Sequence, residues 1–324
     1  MKTRALPLYA TIVIFLLAYA ICWLQFPAML STRVIGNLLT DNAYLGIVAV
    51  GMTLVILSGG IDLSVGSVIA FSGVFIAVLL RDTSLHPLVV FAMLLSLTTA
   101  FGAAMGFLIH RLAMPAFIVT LAGMFLARGA AYMLSIDSVP IQHPFYEVIQ
   151  DAYWLMPGKG RLRLIGMLML LTVLIGMIIA HKTRFGASVY ALGGGEAAAR
   201  LMGVRQGRTT ILVYAFSGCM AGLSGIVFSI YTGSGYSLAT VGTELTAIAA
   251  VVIGGTLLTG GAGYMFGTLI GVLTMGLIQI YIVFDGTLSS WWIKIVTGIL
   301  LLVFILLQKG LLKLSQSRLI EGIS

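Results

Sequence analysis

The sequence predicts an all-α, polytopic helical membrane protein, and three observations point there: its composition, the recurrence of long apolar runs, and the placement of basic residues between those runs. Hydrophobic residues fill 60% of the 324 positions and charged residues 9%. A water-soluble globule of that length could not cover its surface with polar groups, so the solvent must largely be lipid. A helix needs about 20 residues to cross about 30 Å of hydrocarbon. On that measure the candidate segments are 8–24, 43–57, 65–80, 88–109, 116–134, 164–180, 209–231, 244–258, 263–284 and 288–307. The chain reads as a single membrane domain over 1–324 with about ten transmembrane segments. The short candidates 43–57, 65–80 and 244–258 are expected to be broken or re-entrant near their glycine-rich ends.

The first run follows Lys2 and Arg4, but it is longer than a signal-peptide core and no small-residue cleavage site ends it, so it reads as a retained helix. Cys22 and Cys219 both fall in apolar runs and are expected to be core residues. The net charge of +8 is not gathered into a basic stripe with interleaved aromatics, which argues against nucleic acid as a partner and leaves membrane lipid. Cytoplasmic loops carry the excess of Lys and Arg. With the N-terminus inside, the inner loops hold eleven (Lys2, Arg4, Arg111, Lys182, Arg184, Arg200, Arg205, Arg208, Lys309, Lys313 and Arg318). The outer loops hold five (Arg33, Arg81, Lys159, Arg161 and Arg163), and Arg128 and Lys294 fall within segments. Both termini are therefore expected in the cytoplasm.

Two loops are long enough to carry a function. The outer loop 135–163 contains Pro140, Pro144, Pro157, Trp154 and several tyrosines, a composition suited to a short amphipathic piece at the interface, facing any extracytoplasmic partner. The basic inner loop 181–208 has strong helix formers from Glu196 to Met202, between Gly193-Gly194-Gly195 and Gly203, which predicts a short cytoplasmic helix. The chain also carries an internal echo. Residues 49–70 aligned without gaps on 250–271 give seven identities in 22 positions, among them Gly59/Gly260, Gly60/Gly261 and Gly66/Gly267. Short glycine-interrupted segments in matching parts of two halves point to a translocation site, although glycine-rich membrane segments also resemble one another by chance.

Three motifs stand out. In Gly59-Gly60-Ile61-Asp62-Leu63-Ser64-Val65-Gly66-Ser67 one carboxylate lies between apolar runs, where a charge at mid-bilayer costs about 2.5 to 3.5 kcal/mol. Unwound backbone amides and the positive end of a helix starting near Ser64 offer compensation. Asp62 can serve as a cap for that helix, as part of a solute path, or as both. The second motif runs from Tyr190 through Gly193, Gly194, Glu196, Ala197, Ala198, Arg200 and Gly203; a short helix with glycine hinges on the basic side suits docking into a groove of a cytoplasmic partner, the alternative being an idle connecting loop. The third, Gly242-Thr243-Glu244-Leu245-Thr246 into Ala249-Ala250-Val251-Val252-Ile253-Gly254-Gly255-Thr256, has small residues for close packing, which leaves Glu244 unexplained.

At these motifs the sequence resembles, over nearly its whole length, the permease subunits of ABC importers for ribose, galactose and related sugars. Asn37 to Asn42, Leu121 to Phe125 and Phe284 to Trp292 make it most similar to galactofuranose permeases, specifically to the second of that importer's two permease subunits. The resemblance implies a dimeric membrane core, with a second permease subunit forming a heterodimer. It also implies an ATP-binding cassette subunit that holds ATP and Mg, a periplasmic sugar-binding protein, and residence in the bacterial inner membrane. It favours docking for Gly193, Gly194, Glu196, Ala197, Ala198, Arg200 and Gly203. A neutral sugar would suit a path lined by hydroxyls and amides, with Asn42, Thr53, Asp62, Ser64 and Glu244 as candidates. The chain departs from the family pattern at Thr246, where aspartate is common, at Gly195, where asparagine is common, and at Gly203, one residue later than in many importers.

No catalytic constellation is readable. A Gly-x-x-x-x-Gly-Lys-Ser/Thr phosphate loop is absent, so no cofactor is expected in this chain and ATP must be handled elsewhere. His86, His110, His143 and His181 are scattered at segment ends without metal-ligand spacing, and no Gly-x-Ser-x-Gly elbow occurs. The rival reading is an ion-coupled secondary sugar transporter, which would need a titratable relay inside the membrane; Asp62 and Arg128, with Asp41, Glu244, Asp285 and Lys294 near segment ends, supply it thinly.

Overall fold

The computed structural model describes residues 6–289 and 291–321. Lys2, Arg4 and Ser290, used above for orientation and resemblance, lie outside them, as do the side chains of Lys309, Lys313 and Arg318. The elements in order are α1 Leu6–Gln25, α2 Thr32–Asp41, α3 Ala43–Leu57, α4 Val65–Asp82, α5 Pro87–Arg111, α6 Ala116–Leu134, β1 Val139–Pro140 and α7 Pro144–Asp151. They continue with β2 Tyr153–Met156, β3 Gly160–Arg163, α8 Leu164–Lys182, α9 Arg184–Gly194, α10 Glu196–Leu201, α11 Gln206–Thr232, β4 Ser234–Gly235, α12 Thr243–Ile253, α13 Met265–Asp285 and α14 Trp291–Glu321.

Among the described residues, seven helices are long and apolar enough to cross a membrane, and an eighth span results if α2 and α3, bent by 54°, count as one. Each of the ten apolar segments read from the sequence falls on a helix, but not all are single long helices. The segment expected over 244–258 ends as α12 at Ile253, because Gly254, Gly255, Gly260, Gly261 and Gly263 follow and the chain turns. The segment expected to start at 288 begins at Trp291. By contrast α4, expected to be broken, is a continuous helix of 18 residues.

Why the bundle packs as it does follows from residue size. Every residue of α3 except Tyr44 is buried, so this helix, apolar all round, lies at the centre. Against it runs α11, whose partner α5 approaches backbone to backbone. A methyl group on Gly106 would lie 2.8 Å from Ile211 Cα, and methyls on Gly102, Gly218 and Gly222 would strike Tyr214 or Thr98. Gly102 with Gly106 and Gly218 with Gly222 are small residues four apart, the spacing that lets membrane helices meet closely. Pro87 starts α5 at a position that needs no N–H partner, with His86 Nδ1 accepting from Leu88 N at 3.3 Å.

At the end of the bundle that carries residues 135–163, α7 is the short amphipathic piece expected there. It is docked on α11, through Tyr146 Oη to Ser229 Oγ (3.0 Å) and Gln150 Nε2 donating to Ile230 O (2.6 Å). Strands β2 and β3 form an antiparallel hairpin leading into α8, and β1 pairs with β4. On the other side, the helix expected at Glu196 to Met202 is α10, preceded by α9, which the sequence reading did not anticipate.

Candidate functional site: paired breaks, a projecting helix and a cavity beside α2 and α3

The first break joins α3 to α4. Gly59, at φ +85°, turns the chain out of α3 in a conformation that a side chain disfavours. Asp62 is then fully buried with both carboxylate oxygens bonded. Oδ1 accepts from Ser64 N (2.9 Å) and Ser64 Oγ (2.6 Å), and Oδ2 accepts from Ser217 Oγ of α11 (2.7 Å). Ile61 O accepts from Tyr214 Oη at 3.3 Å and from Thr120 Oγ1 at 3.4 Å. The carboxylate therefore fastens the start of α4 to α11, and the hydroxyls around it supply what an isolated buried charge would lack. Ser217 was missed from the sequence, where it is one of three serines inside the apolar run 209–231 and gives no sign of what it faces.

The second break, between α12 and α13, repeats the first. Gly260 at φ +83° matches its echo Gly59. The two turns touch: Gly261 N donates to Leu57 O at 2.9 Å, and a methyl on Gly260 would lie 2.8 Å from Gly59 N and 3.1 Å from Gly193 Cα. A methyl on Gly261 would lie 2.7 Å from Gly194 N. The C-terminus of α9 is thus wedged between the two breaks, backbone against backbone. Tyr190 Oη reaches Gly263 O at 2.7 Å, and behind the turns Thr53 Oγ1 meets Thr268 Oγ1 at 2.8 Å across the same seam.

From that wedge α10 projects outward. Glu196, Ala197, Ala198 and Arg200 are exposed, Leu201 is 91% and Met202 67% exposed, and Gly203 is exposed as the chain turns toward α11. Only Ala199 faces inward. The helix is braced at its base by Gln206, whose Nε2 donates to Glu196 O at 2.7 Å and whose Oε1 accepts from Arg200 Nη2 at 3.4 Å.

On the opposite side a cavity of about 480 Å³ opens where α2 meets α3, lined in part by Asp41, Asn42, Tyr44, Phe228, Tyr231 and Gln279. Tyr231 Oη donates to Asp41 Oδ1 at 3.2 Å, and Tyr44 and Phe228 stack edge to face at 5.1 Å. Asn42, a residue expected in the path, lines it, with Nδ2 donating to Leu38 O at 2.9 Å. Asp41 was read from the sequence only as a titratable group near a segment end, and Tyr231 and Gln279 were missed; Gln279 carried a signal as a polar residue inside an apolar run, whereas the meeting of Asp41 and Tyr231 is a tertiary fact. Glu244 lies apart from Asn42, at the seam of α4 and α12, beside Gly66 and Thr240 O, and its buried Oε2 has no hydrogen-bond partner among the described residues. Arg128 clamps the turn before it, donating to Ser237 O (2.5 Å) and Ala239 O (2.8 Å). Of the five expected path residues, the structure brings Asp62 and Ser64 together, places Thr53 at the α13 seam, and leaves Asn42 and Glu244 separate.

Apolar helices interrupted at two matched glycine turns, with a short helix projecting from the turns, define a multi-pass membrane transport subunit. Residues 34–305 match the family described as the permease component of the branched-chain amino acid transport system, and the chain belongs to that family. It is 59% identical to the inner membrane ABC transporter permease protein YjfF of Escherichia coli, over 98% of this chain and 96% of that one. It is 36% identical to the fructose import permease protein FruG of Bifidobacterium longum, covering 95% and 92% of the two chains. With the ribose import permease protein RbsC of Escherichia coli the identity is 38% over 84% of each chain. No solved structure matches. The chain is a multi-pass protein of the inner membrane, its relatives are transport subunits rather than enzymes, and the ion-coupled alternative is not favoured.

Proposed function

We propose that this chain conducts a sugar, galactofuranose, across the bacterial inner membrane as one permease subunit of an ATP-driven importer. Sugar as the solute class rests on relatives that are fructose and ribose permeases; galactofuranose rests on the motifs at 37–42, 121–125 and 284–292. In this reading residues 1–324 form one membrane domain that crosses the bilayer ten times. The pair α2–α3 counts as one crossing, α12 with the chain to 264 as another, and both termini lie in the cytoplasm. Loop 135–163 is periplasmic and loop 181–208 couples to the ATPase. ATP and Mg are held by a separate ATP-binding cassette subunit, a periplasmic sugar-binding protein delivers the solute, and a second, different permease completes the dimer.

One observation carries the mechanism: α9 touches both glycine breaks while α10 stands exposed beside it. Closure of the ATP sites in the partner would displace α10 and, through the wedge, both breaks together, the kind of two-state motion that alternating access requires. The sugar enters at the outer cavity, where Asn42, Asp41 and Gln279 offer hydrogen bonds and Tyr44 and Phe228 offer ring faces. Thr53, Asp62 and Ser64, bonded to protein in this conformation, meet sugar hydroxyls when the breaks part, and Glu244 has a carboxylate oxygen to offer at the α4–α12 seam.

Uptake of labelled galactofuranose by cells tests the proposal. Import should require ATP and all partner subunits, and should persist when the proton gradient is collapsed while ATP is maintained. Gradient-driven uptake by this chain alone would overturn it.

A further inference from the structure

We infer that the outer side of this protein carries a binding site for the phosphate of an anionic phospholipid, built from Arg33, Lys159, Arg161 and Arg163. These four side chains line one cavity of about 480 Å³ together with Asn37 and Leu155. They come from separate places: Arg33 from the first turn of α2, Lys159 from the turn between β2 and β3, and Arg161 and Arg163 from β3. Four of the five basic residues assigned above to outer loops thus converge on one hollow. Such a gathering of like charge repels itself unless an anion fills it. The protein does not supply that anion, because the single ion pair among the described residues is Arg81 with Asp82. Asp41, in the adjoining cavity, contributes one negative charge against four positive ones.

Position and surroundings favour lipid over a soluble anion. Arg163 immediately precedes Leu164, the first residue of a membrane-crossing helix, which places its guanidinium at the level where phosphates lie. The hairpin pairs Tyr153 with Arg163 and Leu155 with Arg161, so residues of these two pairs share one face, and Arg161 lies 4.6 Å over the Tyr153 ring. Tyr153 and Leu155 are exposed, as is Trp154 at 68%. An exposed apolar and aromatic edge alternating with arginines suits the boundary between headgroups and acyl chains. The hairpin is fixed for this purpose: Gly160 packs on Thr32 and Gly36 on the Arg161 carbonyl, so β3 and α2 move as one. A bound lipid would therefore tie the outer end of α2 to the start of α8, beside the wall of the outer cavity.

The full-length chain, purified in neutral detergent, is titrated with dioctanoyl phosphatidylglycerol and with dioctanoyl phosphatidylcholine, and bound lipid is counted by native mass spectrometry. Phosphatidylglycerol should bind in preference. A cation near an anionic surface is worth about fivefold in affinity, so R161Q/R163Q should weaken its binding about 25-fold. R161K/R163K should keep the preference for phosphatidylglycerol, and both variants should melt as the wild type does without lipid. Equal binding of the two lipids by the wild type, or an undiminished preference in R161Q/R163Q, overturns the inference. Displacement of the lipid by millimolar inorganic phosphate would mark a site for free anions and overturn it too. So would variants that bind lipid normally but lose stimulation of the assembled transporter by its soluble binding protein, since that would assign the cations to an acidic protein surface.

Discussion

Replacing Gly193 with alanine tests the wedge directly. The new methyl group would lie 2.6 Å from Gly261 N and would overlap the Leu57 carbonyl oxygen, where ordinary contact begins at 3.4 Å. The three backbones must part by about 1 Å, and overpacking of that order costs about 1 to 3 kcal/mol. A bias of 1 to 3 kcal/mol on a two-state element corresponds to about 5- to 150-fold. The conformation in which α9 abuts both breaks loses that factor in population, while the cavity beside α2 and α3 and the helix α10 are untouched. Gly194 gives the comparison, because a methyl there meets nothing within 4 Å. In proteoliposomes holding the assembled transporter, sugar imported per ATP hydrolysed should fall at least about fivefold for Gly193→Ala and stay near the wild-type ratio for Gly194→Ala. Membrane insertion and association with the ATP-binding subunit are scored first. Equal ratios for two variants that both assemble would refute the reasoning that force passes through this contact.

Two further outcomes follow from the same geometry. Asp62→Ala leaves the Ser64 and Ser217 donors buried without their acceptor, at about 1 to 3 kcal/mol or more, so thermal unfolding in detergent should occur at a clearly lower temperature than for Asp62→Asn, which keeps an oxygen; indistinguishable melting would remove the anchoring role. Glu196→Ala and Arg200→Glu alter exposed side chains on α10, the second giving up only the long 3.4 Å contact with Gln206, whose shorter bond to Glu196 O remains, so ATP hydrolysis should uncouple from transport with melting unchanged, and normal coupling in both would remove the docking assignment.

The long spans were legible because apolar runs of the right length leave lipid as their only solvent, and the breaks were legible because glycine clusters interrupt those runs. Helices α2 and α9 escaped notice for one reason. Thr32–Asp41 and Arg184–Gly194 mix polar and apolar residues without spanning length, and their helicity depends on packing against α8, α3 and the hairpin rather than on hydropathy. The echo between 49–70 and 250–271 showed two similar units. That Gly59 and Gly260 touch, with Gly193 between them, is a relation among three distant segments, which no local pattern encodes. Likewise the charge of Asp62 was visible as a cost, whereas its partner Ser217 lies 155 positions away.

The packing also decides where motion can occur. Helices α5 and α11 meet through four glycines, three of them against backbone of the facing helix and Gly222 against the Thr98 side chain, so neither slides without collision, and they behave as one rigid body. The first break is fastened to that body by Ser217 and Tyr214, whereas the second is fastened to α9 by Tyr190 and the Gly193–Gly194 contact. Among the described residues, the hydrogen bonds between the two breaks are one amide-to-carbonyl bond, from Gly261 to Leu57, and behind it one pair of hydroxyls, Thr53 and Thr268. Each is worth about 0.5 to 1.5 kcal/mol net, far less than separating α5 from α11. Under the proposed mechanism a pull arriving through α10 and α9 therefore acts on both breaks while the first stays fastened to α5 and α11, and the seam it strains is the one closed by Thr53 and Thr268.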